Sequence, residues 1–548
     1  KMKGRIVDTM IAASVIDENR FQYSLDSLSK DFLKERKGGY DLQEKVLAWS
    51  KGTIKDPMSN MHKLPASIVK DYAKQDVNLT LKLWKLFDKK IDEVLYIKPE
   101  DNEKKTSRNI FELETELFPC LVDMKFKGVK IDVQKAKDFG QRLEKRKNNL
   151  IKIIKARTGI DVQIWAASSL KNLLENQEIT DYKKTPKSGM PQLPGDYLRT
   201  HKNRFLRFVA KARECDKAKN TFVEGLLGFV HNGRIHADIN QIRGEHGGTV
   251  TGRFSMSNPN LQQIPSKGYI GKKMRELFIP ETGSNWYSFD YSQQEPRIVV
   301  HYAIKLGMDG TDDLKEEFDK EDADFHQIVA DMANIPRKQA KTINLGLFYG
   351  MGKIKLQKEL NLDPKKAKTL FDTYHSKVPF VKQLSQDLSQ FAAEEGLLYT
   401  LGDRFCRFDK WESRDKEWNS ETNRFTEVKL HATKEDAMDA YKLEQMEKYE
   451  KYIDPTCEHF EKHYTRAFTY KALNKLIQGS AADMTKKAMV DLYKKGYLSH
   501  IQIHDELDFS IESEEQAKKI KSIMENAVDL EVPNKVDYES GPNWGEIK

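Results

Sequence analysis

Apolar and polar positions along this chain follow two rhythms, and the switches between them divide it into elements. IVKDYAKQDVNLTLKLWKLF (68–87) carries apolar residues at the three-and-four spacing of one helical stripe, and it closes a region of helices and polar loops that runs to about 97. KPEDNEKKTSRN (98–109) breaks the pattern and reads as a linker or domain edge. A helix is predicted over 110–127, a turn into extended chain at FKGVKID, and a long lysine-rich helix over 133–157. DYKKTPKSGMPQLPGD (181–196) holds three prolines and two glycines and reads as a loop, with helical patterning returning over 199–231.

The rhythm then shortens. RIHADINQI and NWYSFDYS gather β-branched and aromatic residues between turn formers, the pattern of short strands. Residues 311–400 return to helical spacing, and 409–465 are polar throughout, an exposed insertion whose simplest form is a solvated helical arm. HIQIHDELDFSI (500–511) alternates as strand, turn and strand, followed by a helix and a last strand. Helices interspersed with separate strand groups predict an α+β architecture.

Two acidic clusters fall at predicted strand ends. Asp290 closes an aromatic-rich strand, with Glu295 five residues on, and His504, Asp505 and Glu506 occupy the tip of a predicted hairpin. Hard divalent cations take oxygen ligands, and two ions about 4 Å apart can clamp the attacking and leaving oxygens of a phosphoryl transfer. Asp290 and Asp505 are the candidate ligands, provided the fold brings them to one cleft. In RKQAKTINLGLFYG (337–350), Arg337, Lys341, Leu345 and Tyr349 are each four residues apart and share one helical face. Arg337 and Lys341 could grip a triphosphate, Leu345 and Tyr349 could lie along a base, and Gly350 could end the helix. The spacing is equally that of an amphipathic surface helix with its cations in water.

Composition narrows the setting. The 548 residues are 39% hydrophobic and 32% charged, a globular balance with length for several domains. The net charge of +8 comes from 92 basic and 84 acidic residues, so its distribution matters more than its sum. Four scattered cysteines (Cys120, Cys215, Cys406, Cys457) form no C-x-x-C pair, which argues against zinc knuckles and disulfides and for a reducing cytoplasm. No apolar run approaches the roughly 20 residues of a membrane span, and no signal peptide is visible. The chain opens KMKGRIVD, lysine first, which predicts a longer natural N-terminus.

TGRFSMSNPNLQQIP (251–265), DYSQQEPR (290–297), RKQAKTINLGLFYG (337–350), LIQGSAAD (476–483) and IHDELDF (503–509) follow one another in order. They resemble the successive motifs of family A DNA polymerases, the group of bacterial DNA polymerase I and phage replicative enzymes, from about 110 to the C-terminus. The ending GPNWGEI is similar to the phage members. The resemblance implies a right-hand fold around primer–template DNA: 106–250 as thumb and approach to the palm, 251–324 and 476–548 as palm, 325–475 as fingers carrying the 409–465 insertion. It implies Asp290 and Asp505 as metal ligands for two Mg2+ ions (Mn2+ as the alternative), with the Tyr291 carbonyl assisting and Glu506 as a third palm carboxylate. Glu295 resembles a steric gate against a ribose 2′-hydroxyl. Arg337 and Lys341 resemble the triphosphate pair and Tyr349 the aromatic beside the templating base. Arg253, Asn258, Gln262, Gln293, Arg297, Asn474, Gln478 and His504 match positions lining primer, template or nucleotide. The implied reaction is attack of a primer 3′-hydroxyl on the α-phosphate of a dNTP, with pyrophosphate leaving.

Leu345 departs from the resemblance, which expects Phe or Tyr there, and this predicts altered handling of 3′-modified nucleotides. The 409–465 stretch is longer than in bacterial relatives. Tyr72 and Asp76 form a Y-x-x-x-D pair that resembles the last motif of a 3′–5′ proofreading exonuclease, so 1–105 is expected to be the C-terminal part of an RNase H-like exonuclease domain. The D-x-E strand and further Asp that proofreading needs would lie upstream of position 1, so this chain alone is expected not to proofread. A single-subunit RNA polymerase and an inactive polymerase-like DNA-binding or scaffolding protein are the rival readings. A reverse transcriptase's Tyr-x-Asp-Asp and a P-loop are both missing. Replisome partners such as a helicase–primase, a single-strand binding protein or a processivity factor are left open.

Overall fold

The computed structural model describes residues 4–548 except 38, 55, 57, 245–246, 319, 321–322, 349–350, 415–417, 420–423, 426–428 and 450–456. From the N-terminus, the apolar stripe read in the sequence forms α1 (Ala66–Ile91), which buries Leu79, Leu83, Phe87 and Ile91 against the helix Thr9–Ile16. Among the described residues up to 105 the strands are one two-residue pair, Tyr96–Ile97 with Lys104–Lys105. No distinct RNase H-like exonuclease subdomain is marked out among these described residues. α2 (Arg108–Lys127) follows, then α3 (Val133–Thr158), capped by Asp132, whose carboxylate accepts from the Lys135 N–H at 2.9 Å. α3 runs against Arg204–Lys217, and Ile154, Leu206 and Val209 share a core between them. The 181–196 loop contains a small hairpin, Lys183–Lys184 with Pro191–Gln192, and the helical stretch after 199 passes through a π-helical turn at Ala218–Val223.

β1 (Asn285–Tyr291) leads into α4 (Gln294–Lys305), and α5 (Phe325–Ala333) and α6 (Arg337–Phe348) pack beside it. α7 (Ala472–Lys494) precedes the hairpin β2 (Ile501–Ile503) and β3 (Glu506–Ile511), then α8 (Glu514–Glu525) and β4 (Val536–Gly541). The four strands form one antiparallel sheet in the order β2-β3-β1-β4.

The central strand β1 is buried on both faces, and this is why it reads as a near-continuous aromatic run. Tyr287, Phe289 and Tyr291 face Met484, Ala488 and Met489 of α7. Trp286, on the other face, stacks on Trp544 at 5.9 Å. α7 buries residues all round, as a helix does when it runs through a core instead of along a surface.

The 409–465 stretch differs from the expected solvated arm. Strands Trp411–Ser413, Leu430–His431 and Tyr464–Arg466 form a three-stranded sheet, and Trp411, Tyr441, Phe460 and Tyr464 bury one another under the helix Lys434–Tyr449. Four aromatics spaced widely in a polar background leave no periodic signal in the sequence, yet they suffice for a small core.

Candidate active site

The register of the sheet assembles the site. Asp290 on β1 lies directly across from Glu506 on β3 and from Asp537 on β4. The β2–β3 hairpin turns through two residues, His504 and Asp505, and His504 takes the left-handed φ of +58°. The Tyr291 N–H donates to the Asp505 carbonyl at 3.4 Å, which draws the end of the first acidic motif against the turn that carries the second. Asp290 and Asp505, 215 positions apart in sequence, therefore meet at one end of the sheet.

Electrostatics reports the same meeting. The Asp290 carboxyl is raised above its usual range, first by the surrounding protein and then by the charges of Asp505, Glu506, Asp537 and Glu539. Its side chain is open to solvent at the mouth of the cleft, so water softens this shift. Asp505 is also raised, chiefly by burial. Carboxylates that resist ionising together are relieved by a cation. No group of three or more His, Cys, Asp or Glu among the described residues forms a ready metal cage. The oxygen-only donor set of Asp290, Asp505 and the Tyr291 carbonyl nevertheless fits a hard divalent cation such as Mg2+, which typically takes one or two carboxylates and completes its shell with water and substrate phosphates.

Other expected residues lie on the elements that adjoin the sheet or brace its hairpin. Glu295 lies in the first turn of α4 and receives an ion pair from Arg253 at 2.5 Å. Gln293, at φ +55°, is the residue before that helix, and its Oε1 is buried without a hydrogen-bond partner. Gln262 donates to the Gln502 carbonyl at 3.2 Å and to its Oε1 at 3.1 Å, bracing the acidic hairpin. Asn474 and Gln478 lie one turn apart on α7, both half-buried.

Three expected residues have partners that the sequence did not announce. Arg297 is 3% exposed and donates to the carbonyls of Ser292 and Pro533, so its guanidinium ties the chain after β1 to the chain before β4. Asn258 donates to Asp238 at 2.9 Å. Arg337 is held by Asp324, the N-cap of α5, at 2.5 Å, while Lys341 one turn later is exposed. Tyr349 and Gly350 lie outside the described residues, as does the side chain of Leu345. In the N-terminal region Tyr72 is buried, and Asp76 pairs with Lys37 at 3.1 Å.

Sequence reasoning missed several residues that hold the site. The Trp544 indole donates to Glu506 at 3.1 Å, which fixes the third carboxylate from the C-terminal tail. Asp508, wholly buried beneath the acidic row, accepts from Trp286 at 3.0 Å and from the Ser288 hydroxyl. Asn344 anchors α6 by donating to His326 at 3.1 Å and accepting from Tyr374 at 2.6 Å. An acidic residue at an inward strand position was the one available signal, and Asp508 in LDF carried it.

Residues 133–546 match the sequence family described as DNA polymerase family A. The DNA-directed DNA polymerase of Pseudomonas phage M6 is 29% identical over 98% of this chain and 79% of its own length. DNA polymerase I of Geobacillus stearothermophilus is 30% identical over 85% of this chain and 48% of its own length. The fold matches, with a TM-score of 0.69, the POL domain of Pol1 from M. smegmatis, solved in complex with DNA primer-template and dNTP. That match is 22% identical and covers 98% of this chain and 82% of the other. With acidic motifs converging at the end of an antiparallel sheet, the molecule falls in the polymerase class of nucleotidyltransferases. The chain belongs to DNA polymerase family A. Its activity is template-dependent DNA synthesis that extends a primer with dNTPs.

Proposed function

We propose that synthesis takes place at the Asp290–Asp505 end of the sheet, in a palm made of 251–324 and 476–548, with 325–475 as fingers and 106–250 as thumb and approach to the palm. The observation that carries this reading is the cross-strand row Glu506, Asp290, Asp537 beside the Asp505 turn. Asp290, Asp505 and the Tyr291 carbonyl would hold two Mg2+ ions, with Mn2+ as the alternative. Bound there, the ions would acidify the primer hydroxyl and neutralise charge on the phosphoryl oxygens.

The primer 3′-oxygen forms a bond to the α-phosphorus as the bond to the bridging oxygen breaks, and pyrophosphate leaves. Lys341, exposed on α6, offers a point charge to the triphosphate. Arg337 offers a fork once Asp324 releases it. Glu295 stands where a 2′-hydroxyl would intrude. Asn474 and Gln478 present amides to the DNA, and His504 and Arg253 line the primer side. The likeness to phage polymerases over nearly the whole chain supports a role in phage genome replication. Residues 1–105 are read as the C-terminal part of a proofreading domain, with the Lys37–Asp76 pair occupying its last motif. No helix among the described residues is long and apolar enough to cross a membrane.

Mn2+ binding followed by electron paramagnetic resonance tests the ligand assignment, on protein holding dideoxy-terminated primer–template and dNTP. Native protein should bind about two ions, and Asp290→Asn and Asp505→Asn should each lose at least one. Unchanged stoichiometry in both variants would refute the assignment.

A further inference from the structure

Arg253 and Glu295 form an ion pair, Nη2 to Oε1 at 2.5 Å, with side chains 27% and 13% exposed. Glu295 lies on the first turn of α4, where a glutamate has several rotamers open to it. A charge-assisted bond from an arginine selects one of them, and partial burial keeps water from competing. Both groups bear electrostatically on Asp505, Arg253 lowering its pKa and Glu295 raising it, so the pair sits beside the reacting centre.

Arg253 is itself held from behind. The Thr249 hydroxyl donates to the Arg253 carbonyl at 2.9 Å. Gly252 precedes it at φ +81°, and a Cβ there would lie 2.5 Å from the Arg404 guanidinium carbon. Arg404 is fixed in turn by Glu114 at 2.5 Å and Asp483 at 2.6 Å. A chain of buried charges thus backs the turn that presents Arg253.

We infer that Arg253 is the positioning residue of the sugar gate: by holding Glu295 in one rotamer it sets how closely the carboxylate covers the 2′ position of an incoming nucleotide. This rests on the reading of Glu295 as that gate. Removing the arginine takes away the charge-assisted bond to Oε1 that favours this rotamer, and the carboxylate then covers the 2′ position less closely.

The test is kcat/KM for dCTP and for rCTP on one primer–template. The ratio of the two cancels any effect of Arg253 on primer binding, which a merely structural or DNA-contacting role would leave unmoved. Arg253→Met should raise the rCTP/dCTP ratio at least tenfold. Arg253→Lys, keeping charge without the fork, should raise it less. The double variant Arg253→Met/Glu295→Ala should match Glu295→Ala alone, because both changes remove one device. If Glu295→Ala raises the ratio while Arg253→Met leaves it at the native value, the positioning role is wrong and the gate stands. If the double variant shows the product of the single effects, Arg253 acts on the sugar by another route and the inference falls. If Glu295→Ala itself leaves the ratio unchanged, the gate reading fails and the inference falls with it.

Discussion

Asp508 shows what one residue can do to the palm. It is wholly buried, Oδ1 takes both of its hydrogen bonds, and Oδ2 has no partner. Burial, followed by the charge of Glu506, raises its carboxyl well above the usual range. The folded protein therefore binds this proton more tightly than the unfolded chain, whose Asp titrates near about 3.9. Its contribution to stability is full below that value and is lost as pH rises toward the folded one. Asp508→Asn, which stays neutral, should gain in Tm over native protein as pH rises from 5 to 8; an offset that is the same at both values would contradict the assignment. Leu345 is the other residue with a sequence-level consequence, since a branched aliphatic cannot offer a flat ring to sugar or base. The ddNTP/dNTP incorporation ratio should differ between native protein and Leu345→Phe, and identical ratios would remove Leu345 from nucleotide selection.

At the scale of elements, the site depends on α2, α7 and the hairpin Leu397–Tyr399/Phe405–Arg407 being locked together. Glu114 of α2 is 1% exposed and accepts from Lys486 of α7 at 2.6 Å and from Arg404 at 2.5 Å. Burial would push its carboxyl up, but the two cations outweigh that and hold it at about 2. Removing one partner of a buried ion network strands the others, so Glu114→Ala should cost about 3–5 kcal/mol in urea unfolding. Lys519→Ala, on an exposed pair, should leave the urea midpoint essentially unchanged. A loss below about 1 kcal/mol at Glu114 would mean that the network adds little. None of this was legible beforehand, because Glu114 and Lys486 look like ordinary charged positions of amphipathic helices. Elements with a strong apolar pattern were legible: α1 from its stripe, β1 from its aromatic run and the β2–β3 hairpin from alternation. The insertion was not, because its core rests on four aromatics held by tertiary contact.

For the whole molecule, the sequence announced the chemistry more fully than the scaffold. Asp290, Asp505, Glu295 and Lys341 each sit in a contiguous motif, so each was proposed from a single window of sequence. The supports come from far along the chain: Trp544 reaches Glu506 from the C-terminal tail, and Arg253 reaches Glu295 from another turn. No local window contains both partners. Arg297, matched by its motif to a position lining DNA or nucleotide, also donates to the Pro533 carbonyl, a partner 236 residues along the chain.

The most direct test of the account is primer extension with Mg2+ on a DNA primer–template, with dNTPs and rNTPs in parallel reactions and Asp505→Ala beside native protein. Extension by native protein with dNTPs alone, abolished in Asp505→Ala while primer–template binding persists, is the predicted result. Undiminished extension by Asp505→Ala would contradict the two-carboxylate centre, and equal extension with rNTPs would contradict the gate.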